Sequence, residues 1–308
     1  MGVSFLSRIF KNEPDQGDRP GEKRAPAPGA GRAADSLEAR RTEWVLKTGT
    51  PGVALRPGDG APGIADSKFG GMPYLPSGVP WPRAGDGSGE RLHLLAQFNL
   101  AELPAPAGFP ERGWLQFFIL AGETYGMDLA NLASGAGHAV LYHPPAAGAP
   151  GQAEEEGPGL DDHIESLGLP FLEDRPVALT GEPVKAPLSY SDFRFAARAR
   201  ELAAADPATW SWLDGPMPAD RPGEALTGRF DRAFGRGGHL LGGSPAFIWE
   251  DPRVMPAYSG FTTLLAQIDS DPAAHLSWGD LGICHFFIEP GRLQARDFSR
   301  VLYHWDSR

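Results

Sequence analysis

The chain has 308 residues, 41% of them apolar, with 40 Gly, 31 Pro and a formal net charge of −11. That is enough apolar material for a sizeable core, and the acidic balance argues against nucleic acid as the main partner, because phosphate contacts need clustered Lys and Arg. A single cysteine, Cys284, excludes a disulfide framework and a cysteine-based zinc knuckle.

Residues 1–34 read as a disordered tail, Pro/Gly/charge-rich from residue 11 onward. Phe5, Leu6, Ile9 and Phe10 would share a face if residues 3–10 were helical, which makes that segment a weak candidate for a peripheral membrane anchor. The apolar stretch is too short for a secretory signal and no run is long enough to span a bilayer, so a cytoplasmic protein with no integral membrane segment is expected. One domain is expected over 35–308. Asp35 and Glu38 form a capping-box-like start to a helix ending near Thr48-Gly49, with Leu37, Arg41, Trp44 and Val45 on its face. Short apolar runs bounded by turn residues predict strands over 92–98, 114–120, 263–269, 283–289 and 298–305. Between them lie a flexible loop at 144–162, carrying Glu154-Glu155-Glu156, and a helical insertion at 163–236. Within the insertion, residues 189–206 have helical density of Ala, Arg and Leu before Pro207.

Four short motifs recur in order. Gly70-Gly71-Met72-Pro73 returns as Gly242-Gly243-Ser244-Pro245, and Leu94-Leu95-Ala96-Gln97 as Leu264-Leu265-Ala266-Gln267. Phe117-Phe118-Ile119 returns as Phe286-Phe287-Ile288, and Val140-Leu141-Tyr142-His143 as Val301-Leu302-Tyr303-His304. Any one such match could be chance; four in one order indicate two copies of a module, at 68–143 and 239–304. The fold class read from this is α+β and β-rich, an internally duplicated β-module whose copies are related by a pseudo-two-fold, with flanking and inserted helices.

The run Ser67-Lys68-Phe69-Gly70-Gly71-Met72-Pro73-Tyr74-Leu75-Pro76 followed by Trp81-Pro82 resembles the opening signature of the YwqG-like family of bacterial proteins. Leu264–Asp271 and Trp278-Gly279-Asp280-Leu281-Gly282 are similar to its later hallmarks. The resemblance covers roughly Leu37 to Trp305. It implies membership of a domain family of unknown function, carries over no catalytic residue or cofactor, and suggests a partner-binding or immunity-type role in bacterial toxin systems.

Matched polar positions are the candidate site residues. Glu111 and Asp280 both stand two residues before a glycine that opens a strand. Two carboxylates meeting at a pseudo-axis would serve as acid and base, while each alone would cap a turn. Gln97 and Gln267 also match; simple alternation places Gln97 on one face with Leu95 and Asn99, and Gln267 with Leu265 and Asp269. A buried amide there must be paired, by anchoring a loop or by contacting a ligand. Gln116 and His285 share equivalent register among aromatics. Trp81 and Trp278 are the indoles to watch for recognition. The candidate ligand or partner groove therefore comprises Gln97, Gln267, Asp269, Trp278, Asp280, His285 and Trp81.

The eight histidines form no His-x-His or His-Glu-x-x-His spacing, so no metal is assigned; no cofactor is expected either. His143 and His304 correspond in the two copies and read as strand-end residues. Cys284 and His285 are strand neighbours facing opposite ways, which rules against a dyad. The expected function is a non-catalytic binding protein engaging another protein. The alternatives are a hydrolase-like enzyme using Glu111 and Asp280, or a small-ligand sensor with an aromatic pocket near Trp278 and His285.

Overall fold

A computed structural model describes residues 43–145, 168–207 and 238–308. The tail, the anchor candidate at 3–10, the first part of the predicted 35–48 helix, most of the 144–162 loop and residues 208–236 of the insertion lie outside the described residues.

Among the described residues ten strands form a nearly closed, curled antiparallel sheet, with few helices. In chain order they are β1 Thr50–Pro57, β2 Lys68–Phe69, β3 His93–Asn99, β4 Trp114–Ile119, β5 His138–His143, β6 Val177–Ala186, β7 His239–Gly242, β8 Thr263–Asp269, β9 Ile283–Ile288 and β10 Leu302–Asp306. Their spatial order is β10-β9-β8-β7-β1-β6-β2-β3-β4-β5. Two four-strand sets thus flank the central pair β1–β6, and the long β6 serves both, pairing β1 through most of its length and β2 through Val177 and Ala178.

The two sets match in detail. β3 pairs β4 with a bulge between Leu94 and Ala96, and β8 pairs β9 with a bulge between Leu264 and Ala266. Because two successive residues face inward at a bulge, Leu95 joins Ala96 and Phe98 in the core while Gln97 faces outward. The alternation that put Gln97 with Leu95, and Gln267 with Leu265, is corrected by that one extra residue.

The curl brings the inner faces of the two sets together, with Phe117 against Phe286 at 4.8 Å between ring centroids, and Phe98, Leu115, Ile268, Cys284 and Tyr303 around them. β4 and β9 are apolar almost throughout because loops cover their outer faces as well. The Gly-Gly-x-Pro turns follow β2 and end β7. Gly70 and Gly242 have φ of +65° and +69°, and a Cβ on Gly71 would come within 2.8 Å of Pro176, so both left-handed geometry and space require glycine.

The described part of the 163–236 stretch contains the helix Phe195–Ala205 but also β6, at the centre of the sheet. β1 and β6 escape sequence recognition because TPGVALRP and VALTGEPVKA carry Pro and Gly within strands. The helix packs on Trp44, which lies in a helical stretch at 43–48, is fully buried and donates through its indole to Leu188 O at 2.9 Å.

The β10 edge is stitched to the segment between β4 and β5. Tyr303 N donates to Leu132 O, Trp305 Nε1 to Thr124 O, and His138 Nε2 bonds Val301 O at 2.9 Å. Burial lowers the pKa of His138 from 6.5 to about 4, against the opposing pull of Val301 O and Asp128; burial lowers His93 to about 4 as well. Folded, both stay neutral while an unfolded chain takes up protons below pH 6.5. Their contribution is therefore complete above 6.5 and is lost as pH falls toward 4, with a slope of up to about 1.4 kcal/mol per pH unit for each histidine. Urea midpoints measured from pH 7 to 4 are expected to fall across this window. His138→Phe is expected to lower stability at pH 7 yet flatten the fall; an unchanged slope would count against His138.

Candidate functional site

The outer face of each half-sheet is roofed by a loop, and the two glutamines hold those loops down. Gln97 Oε1 accepts from Tyr74 N at 2.7 Å and from Gln116 Nε2 at 2.8 Å, while its own Nε2 donates to Ile64 O and Asp66 O, both at 2.9 Å. Gln116 Nε2 also donates to Tyr74 O, and its Oε1 accepts from His143 Nε2 at 3.1 Å. In the second half Gln267 Oε1 accepts from Ala246 N and its Nε2 donates to Gly238 O, both at 2.8 Å. His285 Nε2 lies 2.8 Å from Ala246 O, the counterpart of the 2.6 Å bond from Gln116 Nε2 to Tyr74 O.

The residues assigned to one groove are therefore brought together only in part: Gln267 and His285 are paired across β8 and β9 and both hold Ala246, while the others lie apart from them or turn elsewhere. Gln97 and Gln267 sit on outer faces separated by the shared core, both fully buried and engaged with loops. Trp81 is buried and donates to Leu92 O; Trp278 is buried between Tyr125 and Trp305, with ring centroids 5.5 and 6.3 Å away. Asp269 accepts from Gly238 N through Oδ2 at 3.2 Å. Glu111 and Asp280 are both exposed, on the turns before β4 and β9. The Cys284 thiol is fully buried, which raises its pKa well above the usual value.

What the structure does assemble is a polar cluster on the outer face of β9 and β10. His304 lies directly opposite His285 in the ladder, and Asp306, two residues on, shares the face of His304. One donor atom from each of the three lies within 4.8 Å of the others, so this set has the composition of a metal-binding triad. His285 Nδ1 and His304 Nδ1 are buried without a hydrogen-bond partner. Burial holds both imidazoles neutral at pH 7, His285 well below its ordinary pKa and His304 at about 4. This triad has no signature in sequence spacing, because register between two strands, not sequence distance, creates it.

The segment after Gly243 forms the roof. Phe247 packs on His285 at 4.4 Å, and Trp249 N donates to Asp306 Oδ2 at 2.7 Å. Arg253, fully buried, stacks 4.2 Å from the Phe287 ring centroid and forks onto Asp251 (Nε–Oδ1 2.8 Å, Nη2–Oδ2 2.6 Å), with Nη2 also 3.0 Å from Asp192. Asp251 caps the short turn Pro252–Val254 by accepting from Arg253 N, and accepts from Phe193 N as well.

Fold and site together define a class, a β-rich domain made of one curled antiparallel sheet with pinned loops on both outer faces and an imidazole–carboxylate cluster under one of them. Residues 67–307 match the family described as Domain of unknown function (DUF1963), and the chain belongs to that family. No curated protein matches it. Among the described residues no helix is long and apolar enough to cross a membrane.

Proposed function

We propose that the protein is a cytoplasmic, YwqG-like binding protein without catalytic activity, built from two copies of one module, and that it engages a protein partner around Trp249. The carrying observation is Trp249 itself, 63% exposed yet held at both ends, by its backbone N on Asp306 Oδ2 and by its indole on Ser307 O. An exposed indole already fixed in place loses little freedom on binding and has the character of an interface hot spot. Leu281, 56% exposed, lies in the turn whose Gly279 and Gly282 abut Ser307; Val254 and Met255 follow Trp249 and are exposed as well. Glu250 and Asp280 add acidic exposed groups to a chain of net charge −11, which favours a partner with an apolar pocket and a basic rim.

Support for duplication comes from the shared bulge, the shared ladder register and the matching glutamine pins. Support for a YwqG-like relationship comes from its opening motif lying within the matched residues. Exposure of Glu111 and Asp280 on separate turns and the burial of Cys284 favour binding over catalysis.

The test compares full-length protein with Trp249→Ala as bait in lysate of the source bacterium, read by quantitative mass spectrometry. A hot-spot loss of about 2 kcal/mol predicts roughly thirtyfold weaker retention of the specific partner, with an unchanged circular dichroism spectrum. The same proteins retained equally by both baits would sink the reading.

A further inference from the structure

We infer that His285, His304 and Asp306 form a binding site for one divalent transition-metal ion, zinc foremost, on the outer face of the second half-sheet. This goes beyond partner binding and rests on different observations. The first is placement. Antiparallel pairing sets His304 opposite His285, and the two-residue strand repeat puts Asp306 beside His304, so three potential ligands converge within 4.8 Å.

The second is the nitrogen count. A carbonyl oxygen only accepts, so the 2.8 Å contact of His285 with Ala246 O puts the proton on Nε2 and the lone pair on Nδ1. That Nδ1 belongs to a side chain with 0% exposure and has no hydrogen-bond partner. A histidine with one nitrogen donating to a backbone carbonyl and the other bare is the arrangement that orients metal-ligating imidazoles. His304 Nδ1 is likewise buried without a partner. Asp306 is oriented by the Trp249 N–H on Oδ2. Two buried ring nitrogens left without partners cost free energy that a cation taking a lone pair from each ring would offset.

The third is the contrast with the other half. The corresponding positions there are Gln116, His143 and Pro145. Gln116 Oε1 already takes the His143 proton, and proline offers no side-chain ligand. Only the second half has the triad among the described residues.

Two imidazoles and a carboxylate suit zinc, with a fourth position left for water or another donor. Tetrahedral ligands at 2.0–2.2 Å stand about 3.3–3.5 Å apart. Closing from 4.8 Å therefore asks for a contraction of up to about 1.5 Å, within reach of small rotations of His304 and Asp306. The nearby Arg253 opposes a cation less than its charge suggests, because Asp251 and Asp192 neutralise its fork.

The test uses full-length, chelator-stripped protein without a histidine tag. Zinc is titrated by calorimetry, and cobalt is followed by its visible absorption as a reporter of tetrahedral nitrogen and oxygen ligation. One ion per chain is expected, with affinity at least about tenfold weaker in His304→Gln and in Asp306→Asn, and unchanged in His143→Gln. Both weakening variants alter partly exposed positions, and circular dichroism checks that they fold. No saturable binding by the parent protein would overturn the proposal, as would equal affinity in His304→Gln and Asp306→Asn.

Discussion

Replacing Arg253 with methionine is expected to destabilise the fold by about 3–5 kcal/mol, among the largest effects of any single change in this chain. The guanidinium is fully buried and closes on Asp251 and Asp192, which are 4% and 2% exposed. Methionine keeps much of the packing against Phe287 but strands Asp251 with only backbone N–H partners. Asp192 keeps Arg194, whose side chain is 38% exposed and screened accordingly. A loss of that size lowers Tm by roughly 10 °C in a domain of this length. Arg253→Lys should recover only part, because an ammonium cannot make the two-carboxylate fork. The deficit should shrink as pH falls toward and through the ordinary carboxylate range. Burial pushes the Asp192 pKa up, and in the parent protein Arg194 and Arg253 more than offset this and hold it low. Without Arg253 the carboxyl can relieve its burial by taking up a proton. Adding Asp192→Asn and Asp251→Asn to Arg253→Met should return some stability at pH 7, since what costs most is a buried charge left alone. Chemical denaturation at pH 7 and pH 4 reads all of these. If Arg253→Met costs less than about 1 kcal/mol, or the same at both pH values, the ion cluster is not the keystone of the roof over β9.

Five of the eight strands in the two outer sets, β3, β4, β8, β9 and β10, were legible because aromatic and β-branched runs such as WLQFFI and ICHFFI are flanked by turn residues, and their observed limits fall within a few residues of those expected. The central pair was not. Pro51, Pro57, Gly181 and Pro183 break the strand pattern, so 163–236 reads as a helical insertion, and these strands hold their place through neighbours on both sides rather than through propensity. The bulges at Leu95 and Leu265 were equally hidden, since an inserted residue leaves no signature in LLAQ itself. At the site, repetition marked Gln97, Gln267, His285 and His304 as worth inspection. It could not mark Asp306, which has no polar counterpart in the other half. Nor could it mark Arg253, whose importance lies in carboxylates two and sixty-one residues away. Trp81 and Trp278 looked like recognition residues because tryptophan is common at interfaces. Their burial shows the more frequent use of an indole, filling a core with its N–H aimed at a carbonyl where one is in reach, as Trp81 does on Leu92 O.

The second large effect is expected at the glutamine pins, and it should be unequal between the halves. Gln97→Leu leaves Tyr74 N, Gln116 Nε2, Ile64 O and Asp66 O without the amide that served all four. Gln116 Nε2 keeps Tyr74 O and Ile64 O keeps Lys68 Nζ, so four hydrogen bonds go while two of the four groups retain another partner. At about 0.5–1.5 kcal/mol net for each of the four hydrogen bonds, a loss of about 2–6 kcal/mol is expected. Gln267→Leu removes only the two bonds to Ala246 N and Gly238 O, and on the same scale about 1–3 kcal/mol is expected. Gln97→Glu tests the same geometry by charge. A carboxylate in that place would face Ile64 O and Asp66 O, two acceptors it cannot satisfy, so the variant should be the least stable of the three at pH 7 and should recover as pH falls and the carboxyl gains a proton to donate. Urea midpoints give the ranking. Hydrogen exchange adds the location: in Gln97→Leu, protection of the Tyr74 amide should fall further than that of the β4 amides, because the loop lifts before the sheet opens. Equal losses at Gln97 and Gln267, or a Tyr74 amide still as protected as in the parent, would mean the loops are held by their apolar contacts and not by these amides.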